Sequence, residues 1–103
     1  MRFQLRFVRS SSTSYEYVDA TPETAPTAAA AKANEWLAHQ RELVAHRFYY
    51  RDHQEPRTVM VVEYENGRAK PKGLKFKLRL RFVEVQTVSG ERRRDEWYEP
   101  HNQ

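Results

Sequence analysis

The stretch KGLKFKLRLRF, from Lys72 to Phe82, constrains the fold more than any other part of the chain. Leu74, Phe76, Leu78, Leu80 and Phe82 alternate with Lys75, Lys77, Arg79 and Arg81. A period of two is that of a β-strand with one buried face and one solvated face. A slip of one residue would turn four cations into the core, so the apolar set must face inward. The strand runs on through VEVQTV to Val88, and Ser89-Gly90 ends it. Its alternation changes phase where Phe82 and Val83 are adjacent, which predicts a bulge there.

Similar logic reads the rest of the chain. Arg2 to Arg9 forms a strand with Phe3, Leu5 and Phe7 on one side. Ser10 to Ser14 is a polar connection, and Tyr15 to Val18 a short second strand. The segment from Thr24 or Ala25 onward is rich in alanine and has high helix propensity, with Pro26 at the first position. Ala29, Ala33, Trp36, Leu37, Gln40, Leu43 and Val44 form one stripe along it. Arg47 to Arg51 is aromatic and reads as a strand, and Arg57 to Glu65 is the most β-like run of all. RFQLRFVR and KLRLRFVE share a pattern, with Leu5 matching Leu80 and Phe7 matching Phe82. This suggests two strands of one sheet with the same face inward. The class is α+β: one helix on one face of a mostly antiparallel sheet of four to five strands, in the order β-β-α-β-β-β. The domain is expected over 1–90, with a charged C-terminal tail over 91–103.

A chain of 103 residues suffices for one such domain with a modest core. It has no cysteine, which excludes disulfides, thiolate nucleophiles and cysteine-held metals. The start, MRFQLRFVR, lacks the apolar run of a secretory signal, and no stretch approaches the length of a membrane span. A cytoplasmic address is the expectation.

Two groups of residues have the types that catalysis uses. Glu35, His39, Glu42 and His46 share a stripe of the helix, but the two histidines lie about 10.5 Å apart along its axis, too far for one zinc ion. Asp52 and His53 with the serines of 10–14 supply triad residue types without a glycine-flanked nucleophile. The three glycines are isolated, so no phosphate cradle exists. No catalytic residue, metal or cofactor is expected.

The net charge is +4, and its distribution says more than its size. Gly67 to Val83 holds seven Lys or Arg and no acid, and Met1 to Arg9 holds three Arg and no acid. Segregated charge is an argument about partners. The candidate interface comprises Lys75, Lys77, Arg79 and Arg81, with Arg68, Lys70 and Lys72 from the preceding loop and Arg2 and Arg6 from the first strand. If the first and last strands are neighbours, these cations oppose one another, and either a bound anion or Glu63 and Glu65 would relieve them. The aromatic residues of the basic strand itself, Phe76 and Phe82, face the core, so it carries no base code. Tyr15, Tyr17, Tyr49 or Tyr50 would have to supply a stacking ring.

The expected function is therefore a non-enzymatic binding module that holds nucleic-acid backbone through phosphates, without reading sequence. One alternative is an accessory subunit whose partner is an acidic protein or a second copy, paired along Gly73 to Val88 as an exposed edge. Another is a small enzyme using the His/Glu stripe. No membrane partner is expected.

Overall fold

The computed structural model describes residues 1–10, 12–46 and 55–101, with side chains in the helix described through residue 43. The elements are β1 (Arg2–Val8), β2 (Thr13–Asp19), α1 (Ala25–His46), β3 (Thr58–Glu65), β4 (Arg68–Ala69), β5 (Lys75–Gln86) and β6 (Arg92–Pro100). They form one antiparallel sheet in the order β2-β1-β3-β5-β6, with the short β4 paired to β3 alone. One helix lies on one face, as the alternation of the strands requires. The expected strand at Arg47–Arg51 falls outside the described residues, as do Tyr49, Tyr50, Asp52 and His53.

The helix begins where its capping chemistry dictates. Thr21 N–H donates to Thr24 Oγ1 at 3.1 Å, and Thr24 N–H donates to Thr21 Oγ1 at 3.2 Å. This reciprocal pair has the geometry of a capping box, and it fixes the turn that delivers the chain into α1. Ala28 N–H makes the first helical bond, to Thr24 O at 3.0 Å. Pro26 sits in the first turn, where its missing N–H leaves no bond unmade.

Ala25, Ala29 and Ala33 are fully buried, so this end of the helix approaches the sheet closely. Trp36 and Leu37 fill the wider gap beyond them. The sheet contributes Phe3, Leu5, Phe7, Val59, Val61, Leu78 and Tyr98. The Trp36 ring stacks on Phe7 with centroids 3.9 Å apart, and Tyr98 meets Phe7 edge-on at 6.2 Å. Arg9 lies over Trp36 at 4.8 Å and reaches Gln40 and Glu55, closing the end of this cluster.

Three expectations change. The segment read as a charged tail supplies β6, and Tyr98 within it is fully buried. Its hydroxyl donates to Pro56 O at 2.7 Å, and burial pushes its pKa above the usual tyrosine range. Asn34 holds the outer edge of this strand: its Nδ2 donates to Tyr98 O at 3.1 Å, and its Oδ1 accepts from Tyr98 N–H at 2.7 Å. The side-chain amide thus takes the place of a neighbouring strand. Second, no bulge interrupts β5. Its register with β6 runs unbroken from Leu78↔Pro100 to Gln86↔Arg92. Phe82 and Val83 are both about half exposed, so the phase change meets no core that would force an adjustment. Third, β5 is not an edge along its first half, because it lies between β3 and β6. Nor is it a neighbour of β1, since β3 separates them.

Two substitutions test this packing. Trp36→Ala is expected to destabilise the protein by about 3–5 kcal/mol in denaturant unfolding, as for other large buried aromatics. Asn34→Ala leaves the amide of Tyr98 without its partner, and is expected to cost about 1–3 kcal/mol in the same measurement.

Candidate nucleic-acid interface

Strand parity assigns every sheet residue to a face. The register pairs Leu5 with Val61, Val61 with Phe76 and Leu80 with Tyr98, all on the helix side. The residues between them therefore point away from the helix. One row across this outer face reads Tyr15, Arg6, Met60 and Lys77, followed by His101, whose N–H donates to Lys77 O at 2.9 Å. Four strand spacings of about 4.8 Å make the row about 19 Å long. The next row is Tyr17, Gln4, Val62 and Lys75. Met60, Lys75, Phe76, Lys77 and His101 line a shallow depression of about 300 Å³.

The aromatic residues on this face come from strands other than the basic one. Tyr15 is 51% exposed and Tyr17 41%, enough to offer a ring face to a ligand. Tyr17 leans over β1 to meet Tyr64 edge-on, with centroids 5.3 Å apart. Beneath them Gln4 is buried, donating to the Tyr17 hydroxyl at 3.1 Å and accepting from Arg6 Nε at 2.8 Å. Arg6 is thereby oriented by a neutral group. Burial, and then the neighbouring Tyr17, raises the Tyr64 hydroxyl above its usual pKa.

The nine candidate cations divide into two groups. Lys75, Lys77, Arg79, Arg81, Arg2 and Arg6 belong to the outer face by register. Arg68 and Lys70 do not join them, and Lys72 has no strand register. Arg68 is opposite Glu65 and shares its face. Lys72 occupies a turn with positive φ of 58°. Lys70 Nζ binds Glu63 Oε2 at 3.0 Å, and Leu74 N–H donates to Glu63 Oε1 at 3.3 Å. Gly73 makes this closure possible, because a Cβ there would come within 3.0 Å of Lys70 O.

Glu63 and Glu65 therefore cannot neutralise the basic strand, since parity sends them to the other face. Glu99 acts instead. Its carboxylate lies 3.0 Å from Arg79 and 3.6 Å from Arg81. Hydrogen bonds from Trp97 Nε1 and Arg79 hold its pKa below the usual carboxylate range. Arg2 pairs with Asp19 at 3.3 Å. Lys75, Lys77 and Arg6 form no ion pair among the described residues, and they lie at the centre of the face.

The helix stripe shows no comparable convergence. Glu35, His39 and Glu42 are exposed, and Lys32 reaches Glu35 at 3.9 Å. No metal-holding cluster of His, Asp and Glu occurs among the described residues. No helix among them is long and apolar enough to cross a membrane.

The Glu63 site carries its own test. Its hydrogen bond from Lys70, and then that from Leu74, lower its pKa in the folded state. The stability it contributes is therefore present above the ordinary glutamate value of about 4.3, and is lost as pH falls through the lower folded value. Glu63→Gln is expected to flatten the decline in melting temperature over that acid window, and an unchanged decline would contradict the assignment.

Comparison of the chain with protein-family models, with curated proteins and with solved structures finds no significant match, so the geometry alone carries the functional argument.

Proposed function

We propose that the helix-free face binds single-stranded nucleic acid without reading its sequence. The observation that carries this reading is the row Tyr15–Arg6–Met60–Lys77, which sets an exposed ring and two cations without an ion pair among the described residues in one line across the sheet. Phosphates meet Lys75, Lys77 and Arg6, while bases stack on Tyr15 and the free side of Tyr17. Stacking on an aromatic side chain contributes about 1–3 kcal/mol per base and tolerates any base. The basic strand alone favours a phosphate backbone of either kind. The neighbouring tyrosines favour a single strand, because the bases of a duplex are not free to stack on them. An acidic protein surface would satisfy the cations but leave the rings unused. In this reading the protein is a cytoplasmic binding module, and neither catalysis nor a cofactor is part of its role.

The test is fluorescence anisotropy with labelled oligothymidylate and with a duplex of equal length. Single strands are expected to bind more tightly. With about three phosphates neutralised at about 0.7 ions each, raising salt from 50 to 200 mM weakens binding about twenty-fold. Replacing Lys75 and Lys77 together by Gln is expected to reduce the log–log salt slope by about 1.4. Tyr15→Ala is expected to weaken single-strand binding by about 5- to 150-fold and to leave duplex binding unchanged. Absence of binding at 50 mM salt, or binding indifferent to the double substitution, would overturn the proposal.

A further inference from the structure

The second half of β5 leaves the body of the protein with β6 as a two-stranded arm. The molecule is accordingly long, with extents of 50 × 28 × 20 Å and a radius of gyration of 15.3 Å. A compact domain of this length would have a radius near 13 Å. Among the described residues, β3 accompanies β5 only to Arg79, with one further bond from Leu80 N–H to Arg57 O at 2.8 Å. From Arg81 to Gln86 the paired strand is β6 alone.

Backbone parity shows what this leaves open. Lys77 O accepts from His101, and Thr87 N–H donates to Glu91 O, so odd-numbered residues of β5 turn their amides toward β6. Leu80 turns the opposite way, and Phe82, Glu84 and Gln86 follow it. Among the described residues nothing pairs with their N–H and C=O groups, which lie beside the exposed side chains of Phe82 and Val83. The outer edge of β6 is defended. The amide of Tyr98 on β6 is held by Asn34, and the rest of that strand is dense in Arg, Asp and Glu. The arm edge has Glu84 as its one charge between Phe82 and Gln86. A two-stranded ribbon is marginal in water, and an apolar open edge invites a further strand.

We propose that two copies of the chain pair antiparallel along Phe82–Glu84, giving a continuous β6-β5-β5-β6 ribbon. Parity allows only even residues to exchange hydrogen bonds across the axis. Centring the pair on Glu84 would oppose two carboxylates, which repel. Centring it on Val83 sets Val83 against its own copy and Phe82 against Glu84. Four backbone bonds close, two for each Phe82–Glu84 pair. Arg94 already lies over the Phe82 ring at 3.7 Å, so each Glu84 arrives beside a cation of the other copy. The two-fold axis stands perpendicular to the sheet and keeps both tyrosine-and-lysine faces on one side. The pairing requires nothing of that face and does not depend on its ligand.

Light scattering at high protein concentration tests this directly. The expected mass is twice 12.3 kDa. Glu84→Pro removes an N–H that points away from β6, in a position where an edge strand accepts proline. It is expected to give a folded monomer with unchanged circular dichroism. Val83→Lys keeps the backbone intact and is expected to do the same, and it decides the matter if the proline variant fails to fold. A monomeric native protein would overturn the proposal, as would a Val83→Lys dimer. So would hydrogen exchange showing Phe82, Glu84 and Gln86 amides protected in a monomer, since the edge would then be covered by the chain itself.

Discussion

The stacked rings of Trp36 and Phe7, with Tyr98 edge-on to Phe7, join the helix to the second and the last strands of the sheet order. The rest of the structure depends on that contact. It selects which parity of each strand is buried: odd residues in β1 and β3, even residues in β5 and β6. Once those are inside, Arg6, Met60, Lys77 and their neighbours have only the opposite face available. The proposed interface is thus a consequence of core packing. A single helix covers one side of an antiparallel sheet, and the other side remains in water.

Electrostatics then divides that face into two regions. Near β6, Arg79 and Arg81 share Glu99, and Trp97 helps to hold its carboxylate ionised. Toward the centre, Lys75, Lys77 and Arg6 have no acid beside them among the described residues, and the tyrosines of β2 flank them. Exposed ion pairs contribute little to stability, so the pairing of Arg79 and Arg81 matters more for where the positive potential is concentrated. That concentration falls next to exposed rings, which is the arrangement a polyanion with stacking bases would recognise.

Much of this was legible in the chain. The strict alternation of Lys72 to Phe82 fixed which way its cations point, and the alanines with Pro26 marked the helix and its start. β6 was not legible, because RRRDEWYEP has no period-two pattern. Tyr98 is its one fully buried residue, and the rest of the strand is solvated or half solvated. The role of Glu99 was hidden with it, since a cross-strand pair needs a strand to sit on. In β2, hydropathy alone would turn Tyr15 and Tyr17 inward; the pairing of Val18 with Phe3 turns them outward instead. Asn34 gave a signal that is clear only in retrospect: one amide between alanines and Trp36, on a helix otherwise built to pack. The bulge at Phe82–Val83 failed because it assumed that the whole of β5 borders the core.

The most direct test of the central claim is a map of the bound surface. Backbone and side-chain NMR shifts of the labelled protein would be followed during titration with oligothymidylate. The expected result is that perturbations gather on Arg6, Tyr15, Tyr17, Met60, Lys75 and Lys77, with the exposed helix residues Glu35, His39 and Glu42 unmoved. Perturbations confined to the helix face, or to the Lys70 loop, would contradict the account.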